Sequence, residues 1–380
     1  MPEPIFILDA KRTPMGGFQG DFATVMAPEL GAAAIKAVLN GQLPDEVIMG
    51  CVLPAGLGQA PARQAALGAG LPVSVPATTI NKMCGSGMKA VMLACDAIAA
   101  GSAEMVVAGG MESMSNAPYL LPKARSGMRM GHGEVKDHMF LDGLEDAYDK
   151  GRLMGSFAEE AATHYQFTRQ MQDDYALASL DRALKADFST EITPVETKAG
   201  QITTDEQPAK ARPEKIPTLK PAFARDGTVT AANASSISDG AAALLLASAS
   251  VAEARGLTPL ARIVGHAGHA EEPAWFSRAP VGAIRKLLDK TGWTIDEVDL
   301  FEVNEAFAVV SLIAVHDLGI SHDKLNVHGG ACALGHPIGA SGARILVTLI
   351  NALKQRGLKR GVAAVCIGGG EATAVAVEVI

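Results

Sequence analysis

The chain has 380 residues, of which 48% are hydrophobic and 19% charged, and its formal net charge is −8 at pH 7. This composition excludes a disordered chain, and the acidic balance argues against bulk nucleic-acid binding, which requires a basic surface. Five cysteines without CxxC spacing predict neither a disulfide framework nor a zinc site, and free thiols favour a reducing compartment. Because no signal peptide follows Met1 and no apolar run reaches the roughly 18 residues of a membrane span, we expect a cytoplasmic protein with no membrane partner.

The first part of the chain alternates strand and helix patterns. Apolar runs bounded by glycine, proline or charged residues indicate buried strands, and apolar residues at three- and four-residue spacing indicate helices. The predicted elements are a strand at 5–9 that ends before a turn at 11–14, a helix at 30–39, a strand after Val47, a strand at 77–80, a helix at 85–100 and a strand at 105–109.

From about residue 118 the pattern changes. Charged residues, methionines and glycines come first, followed by a helical stretch at 157–187. Five prolines between 191 and 232 indicate an ordered but loop-rich segment: Pro194, Pro208, Pro213, Pro217 and Pro221. The α/β pattern returns at 239–246. We therefore predict an N-terminal half at 1–117 that is completed by about 238–258, an inserted loop domain at 118–237, and a C-terminal half at 259–380.

The two halves repeat one plan. In each half, a proline precedes a helix pattern, which is followed by the triplet Asp-Glu-Val and an apolar strand. Each repeat then ends in a turn that contains glycine. The same 56 residues separate Pro28 from Cys84 and Pro280 from His336 (84 − 28 and 336 − 280). A duplicated α/β unit with a cysteine on one half and a histidine on the other predicts a Cys–His enzyme site at a pseudo-twofold seam.

These two turn residues are candidates for a nucleophile and a base. Cys84 stands before a helix that starts near Ser86, where free N–H groups and the helix dipole favour a thiolate. His336 precedes Pro337 at a helix start, where the dipole disfavours imidazolium and a neutral ring can act as base or donor. The alternatives are a buried cysteine in a tight turn and a capping or core histidine.

Two further residues follow predicted strands of the second half. Cys366 ends the strand at 362–365 and enters a glycine run, so it is a candidate acid or base beside free N–H groups. Asn304 follows the strand at 298–303 and is a candidate holder of a water or a carbonyl group. The alternatives are a core cysteine and a helix N-cap.

Five motifs in order and register resemble those of the thiolases, and the similarity extends over nearly the whole chain. They are NKMCGSGMKA at 81–90, NEAFA at 304–308, NVHGG at 326–330, GHPIGASGAR at 335–344 and CIGGG at 366–370. The resemblance implies that Cys84 accepts the acyl group and that His336 activates it. It also implies that Cys366 exchanges the α-proton, that His336 and a water held by Asn304 stabilise the enolate, and that the N–H groups of Cys84 and Gly368 form a second oxyanion hole.

For coenzyme A, the resemblance implies contacts from the loop domain and the segment 233–235. The matching positions are Ser235, Met154, Leu144, Phe223 and Ala231, with Lys210, Arg212 and Lys215 as candidate cations for the phosphates. The sequence departs from the family pattern at four places. Pro208 stands at or beside a basic position, Leu153 replaces a histidine, and Cys332 replaces an aliphatic residue. The glycine run continues as Glu371-Ala-Thr373 and not with another glycine two positions on.

The resemblance implies a thiolase-like fold in which two duplicated α/β halves form five layers (αβαβα) around which the loop domain is added. The expected activity is acyl transfer between 3-ketoacyl-CoA and CoA, or condensation of two acetyl-CoA, in fatty acid metabolism. We expect no metal or redox cofactor, since coenzyme A thioesters are substrates, and a homodimer or homotetramer. The alternatives are a decarboxylating ketoacyl synthase, which requires a second histidine where Asn304 stands, and an inactive CoA-binding scaffold, which would have lost a catalytic residue.

Overall fold

The computed structural model describes residues 3–380; Met1 and Pro2, which begin the segment considered for a signal peptide, lie outside the described residues. The N-terminal part consists of β1 (Ile5–Arg12), β2 (Gly16–Gly17), α1 (Ala27–Leu39), β3 (Glu46–Gly50), α2 (Pro61–Gly68), β4 (Ala77–Ile80), α3 (Ser86–Ala99) and β5 (Met105–Ser113). The turn expected at 11–14 is wrong at its start. Strand β1 continues through Arg12, because that residue is fully buried and pairs with Ala242 in the sheet.

The central segment contains short strands and three helices. They are β6 (Tyr119–Leu120), β7 (Lys136–Asp137), α4 (Met154–His164), α5 (Arg169–Lys185), β8 (Val195–Thr197), β9 (Gly200–Ile202) and α6 (Glu206–Lys210). The single helical stretch expected at 157–187 is two helices. The chain breaks where Gln166 adopts a positive φ of 57°, and Thr168 then caps α5 by accepting a hydrogen bond from the Met171 N–H.

The remaining elements complete the first half and form the second. They are β10 (Ser238–Ser248), α7 (Ala249–Ala254), β11 (Ala261–Ala270), α8 (Ala279–Thr291), β12 (Leu300–Val303), α9 (Ala308–Leu318), α10 (Ala331–Leu334), α11 (Ile338–Arg356), β13 (Arg360–Ile367) and β14 (Glu371–Val379).

The strand order repeats between the halves. One half has the order β1-β10-β5-β3-β4 and the other β11-β14-β13-β12. In both, the strand pairs nearest the seam are antiparallel and the pairs farther from it are parallel: β5 with β3 and β3 with β4 in the first half, and β13 with β12 in the second. A short antiparallel pairing joins the two sheets where Ile5 lies opposite Ile263. The sheets therefore repeat the same plan on the two sides of a seam.

Helices form three layers around these two sheets. Helices α1 and α2 cover the outer face of the first sheet, α8 and α9 that of the second, and α3 and α11 fill the space between. The buried strands are apolar on both faces, which is typical of sheets covered on both sides. This is the five-layer αβαβα arrangement.

The two central helices approach each other closely at their N-terminal ends. A Cβ on Gly342 would lie 2.6 Å from the Met88 backbone N, and a Cβ on Gly87 would lie 2.8 Å from the Ala343 N. Only glycine allows backbones this close. The contact therefore brings together the turns that precede α3 and α11, which carry Cys84 and His336.

Candidate active site

One cavity of about 370 Å³ receives residues from both halves and from the central segment. The first half contributes Cys84, and the second contributes His336, Cys366 and Gly368. Cys84 and His336 come from equivalent places in the two halves, since they precede the two central helices. Cys366 is the last residue but one of β13. The fold thus gathers the residues that the sequence marked as a nucleophile, a base, a second thiol and an N–H donor.

The turn around Cys84 is tightly held. Met83 adopts a positive φ of 48°, and the Ser86 hydroxyl accepts from the Lys82 N–H at 2.8 Å and donates to the Met83 carbonyl at 2.7 Å. Burial raises the pKa of Cys84 to about 11, although the N–H groups of Gly368 and of Cys84 itself act in the opposite direction. Burial therefore outweighs the helix-end effect expected to favour a thiolate, and the resting group is a neutral thiol.

His336 is buried and oriented by the helix that follows it. Its Nδ1 lies 2.5 Å from the Ser341 Oγ, and this hydroxyl donates its single hydrogen to the Pro337 carbonyl at 3.0 Å. The hydroxyl must then accept from Nδ1–H, which leaves Nε2 as an unprotonated acceptor. Burial and, second, the charge of Arg344 lower the pKa of His336 to about 3. The ring is neutral and its free nitrogen is a base.

Cys366 is the second thiol of the cavity. It is almost completely buried, and burial together with the nearby Cys84 raises its pKa well above the usual range. Strand β13 ends one residue later, at Ile367, and Gly369 and Gly370 adopt positive φ values of 94° and 84° in the turn to β14. A protonated thiol at this position is suited to donate a proton.

Asn304 follows the last residue of β12 and comes shortly before Ala306 and Phe307, which line the cavity, but it is not itself among the lining residues. Its backbone N–H donates to the Ala364 carbonyl at 2.9 Å, which fixes it against β13. Its side-chain amide is buried, and neither the oxygen nor the nitrogen has a partner within residues 3–380. Buried amides require such partners, so this group is suited to hold a water molecule or a substrate oxygen.

The residues that the family resemblance assigns to coenzyme A contacts, other than the three cations, line this cavity. All five are in its wall: Leu144, Met154, Phe223, Ala231 and Ser235. Leu153, which differs from the family pattern, lines it as well. Phe307 packs edge-to-face with Phe223 and Phe276, so three aromatic rings close one side.

The three candidate cations line a neighbouring groove of about 310 Å³, which shares Ala231 and Ser236 with the cavity. Lys210 is already paired, because its Nζ bonds the Glu206 carboxylate at 2.5 Å. Arg212 and Lys215 form no ion pair within the described part of the chain, residues 3–380. Cys332 lines the same groove.

Family comparisons agree with this architecture. The model of the thiolase N-terminal domain matches residues 5–250, and that of the thiolase C-terminal domain matches residues 257–379. The chain belongs to the thiolase family.

Relatives and solved structures are similar over the full length. The chain is 51% identical to the acetyl-CoA acetyltransferase of Pseudomonas aeruginosa, covering 98% of both chains, and 50% identical to acetyl-CoA acetyltransferase 2 of Arabidopsis thaliana, covering 100% of this chain and 98% of that one. The crystal structure of the Bacillus anthracis acetyl-CoA acetyltransferase has a TM-score of 0.96 at 41% identity, covering 100% and 99% of the two chains. A thiolase from Ascaris suum, solved in complex with coenzyme A, has a TM-score of 0.95 at 41% identity over the whole of both chains.

These similarities confirm the thiolase resemblance, the fold and an acyltransferase activity of the thiolase type, and they give no support to a ketoacyl synthase or an inactive scaffold. Within residues 3–380, no helix has both the length and the apolar character that crossing a membrane requires. No cluster of three or more His, Cys, Asp or Glu side chains in the same range is arranged to hold a metal ion.

Sequence reasoning missed three residues that support the thiolase site. Ser341 orients His336, and its place in the GHPIGASGAR motif was the available signal. Glu112 accepts hydrogen bonds from the N–H groups of Val52, Leu53 and Gly339, and so ties the start of α11 to the first half. Burial raises the pKa of Glu112 to about 7. No role was predicted for Glu305 from its place in the NEAFA motif, and the structure shows that it is fully buried.

Proposed function

We propose that this thiolase cleaves 3-ketoacyl-CoA by thiolysis, and condenses two acetyl-CoA molecules in the reverse direction, through an acyl group on Cys84. The observation that carries the proposal is the meeting of Cys84, His336, Cys366 and Gly368 in one apolar cavity. Two thiols, a neutral imidazole and backbone donors supply a nucleophile, a base, an acid and an oxyanion site.

In the first half-reaction, the Cys84 thiol gives its proton to Nε2 of His336 as its sulfur attacks the 3-keto carbonyl. The N–H groups of Cys84 and Gly368 stabilise the oxyanion, since both act on the Cys84 sulfur. The C–C bond then breaks, its electron pair passes to the acetyl-CoA enolate, and the acyl group stays on Cys84. Protonated His336 and a water held by Asn304 stabilise the enolate oxygen.

Cys366 completes the proton balance. Its neutral thiol donates a proton to the α-carbon of the enolate, in agreement with its raised pKa, and releases acetyl-CoA. The resulting thiolate takes the proton of an incoming CoA thiol, whose sulfur attacks the acyl group. Cys84 leaves and regains its proton from His336, so that each residue returns to its initial state.

We propose acetyl-CoA and acetoacetyl-CoA as the principal substrates. The relatives at 50% and 51% identity are named acetyl-CoA acetyltransferases, and the bulky side chains of Phe276, Phe307 and Leu153 line the cavity. Thiolysis rates for acetoacetyl-CoA and for 3-ketoacyl-CoA of increasing chain length test this specificity. A higher kcat/KM for the longer substrates would reverse the assignment.

The covalent step is tested by intact-mass spectrometry after incubation with acetyl-CoA. We expect one acetyl adduct, mapped to Cys84, and none in Cys84→Ser, because a hydroxyl is far less nucleophilic than a thiol near neutral pH. Cys332→Ala is the matched control and should acetylate like the parent protein. An adduct on Cys366 or Cys332 would contradict the roles given to the thiols.

We also propose a homodimer or homotetramer. The family resemblance supports association, and strand β4 lies at an exposed end of the first sheet, where unpaired backbone groups favour pairing with another chain. Light scattering under assay conditions should give at least twice the 39.3 kDa of one chain. A mass of one chain would refute association.

A metal or redox cofactor has no place in this proposal, because the residues named above account for each proton and each charge. Coenzyme A thioesters take part as substrates, in fatty acid metabolism. We also propose a cytoplasmic location, because the proposed mechanism requires free thiols. Cys84 and Cys366 must both remain reduced, and the cytoplasm keeps thiols in that state.

A further inference from the structure

The side chain of Glu305, next to Asn304, is held by an unusual set of contacts. It is fully buried, and four donors reach it. Oε1 accepts from the Tyr175 hydroxyl at 2.9 Å and the Asn326 Nδ2 at 2.9 Å, and Oε2 accepts from the Ser179 hydroxyl at 2.7 Å and the Cys332 N–H at 3.0 Å. All four donors are uncharged, and together they provide hydrogen bonds to both carboxylate oxygens.

Two of these donors come from helix α5 of the central segment. Burial and the charge of Glu305 raise the pKa of Tyr175 well above its usual range, so its phenol remains a donor. Ser179 also accepts from the Gly330 N–H at 2.9 Å, which ties α5 to the NVHGG motif. Helix α5 is thus hydrogen-bonded to Glu305, the residue that follows Asn304.

The same helix reaches the segment beside Ser235. Asn233 donates through Nδ2 to the Asp173 carboxylate of α5 at 3.0 Å, and its carbonyl accepts from the Ala308 N–H at 2.8 Å. The Ser235 N–H donates to the Ala306 carbonyl at 2.9 Å. Residues 304–308 are therefore fixed on one side by the segment 233–235 and on the other by the side-chain contacts of Glu305.

We propose that Glu305 and its two α5 donors, Tyr175 and Ser179, are positioning residues for the enolate step. They keep the Asn304 amide at the position from which a water molecule that it holds can bond the enolate oxygen. Acyl transfer to Cys84 does not use Asn304. The central segment thereby acts on the carbon–carbon step separately from the acyl-transfer step. This inference rests on the function proposed above.

Tyr175→Phe tests the inference, because it removes one donor to Glu305 and retains the ring. We expect acetyl transfer onto Cys84 within about twofold of the parent rate and condensation lowered about tenfold or more, since small displacements of a catalytic group have effects of that size. Tyr165→Phe is the matched control, as its hydroxyl bonds Asp317 and does not line the cavity. It should change neither rate.

A double-mutant cycle separates positioning from a general loss of packing. If Tyr175 acts through Asn304, Tyr175→Phe should lower condensation little further in an Asn304→Ala background. Ser179→Ala, which removes a single oxygen atom, provides the same test if Tyr175→Phe does not fold.

The inference is wrong if both partial reactions fall in proportion, or if the two substitutions multiply in the double variant. These outcomes differ from a failure of the proposed function. In that case the parent protein itself would form no acetyl-Cys84 or would not condense acetyl-CoA.

Discussion

The side chains of the proposed catalytic residues Cys84, Cys366 and His336 rest in their neutral forms, because burial disfavours their charged forms. Burial raises the pKa of Cys84 and Cys366 and lowers that of His336. A neutral thiol and a neutral imidazole avoid a buried ion pair in the resting site, and in the proposed mechanism the proton moves only as the sulfur attacks a substrate carbonyl. Ser341 fixes which nitrogen receives it.

The separate roles of the two thiols lead to a prediction at this scale. Cys366→Ala should retain acetyl transfer onto Cys84 better than condensation, which should fall by at least about 10²-fold, because α-proton transfer depends on this thiol whereas the CoA thiolate can leave without its proton. Asn304→Ala should give the same pattern through loss of enolate stabilisation. Both partial reactions are measured on each variant, with circular dichroism as the control for folding. Equal losses in Cys366→Ala would show that it is not a separate base.

At the scale of elements, the contact between α3 and α11 determines how far the nucleophile lies from its base. Glycines on both helices make that contact: Gly87 on α3 and Gly342 on α11. The buried carboxylate of Glu112 adds a second connection, since it joins the start of α11 to residues 52 and 53 of the first half. The two halves are therefore connected at the proposed site both by close helix packing and by hydrogen bonds.

Gly342→Ala should disturb this contact, because the new Cβ would lie 2.6 Å from the Met88 backbone N. We expect a loss of about 1–3 kcal/mol in the free energy of unfolding, as for other overpacked cores, and slower acetylation of Cys84. Urea unfolding and the mass assay measure the two effects. Gly268→Ala is the control, since its Cβ would have 3.8 Å to its nearest neighbour. Equal stability of the two variants would refute the argument.

For the whole molecule, buried histidines link stability to pH. Burial and, second, the charge of Arg356 lower the pKa of His328 to about 4, against about 6.5 in an unfolded chain. Between these values the unfolded chain binds more protons, so the contribution of His328 to stability decreases as pH falls. Glu302 acts in the opposite sense, because burial raises its pKa to about 8.

Comparison of variants isolates the histidine effect. Between pH 7 and pH 5, His328→Gln should lose less unfolding free energy than the parent protein, by at most about 1.4 kcal/mol per pH unit. Urea unfolding at several pH values measures this difference, and His132→Gln serves as the control because that histidine is exposed. Parallel pH profiles for the parent protein and His328→Gln would contradict the prediction.

The sequence by itself determined the duplication, the order of the main elements and the candidate reactive residues. Pro28 and Pro280, the spacing to Cys84 and His336, and the glycines around them are local signals, since turns and helix starts depend on neighbouring residues. The motifs then identified the family, which the comparisons confirm.

Only the tertiary structure decided the protonation states and the connections between distant segments. Desolvation is a property of the packed interior, so the helix position of Cys84 could not reveal that burial outweighs the dipole. The break at Gln166, the extension of β1 to Arg12 and the bonds from Tyr175 to Glu305 likewise depend on partners far away in the chain. Hydrogen bonds between residues 130 positions apart leave no periodic pattern in the sequence, because the fold alone brings their atoms together.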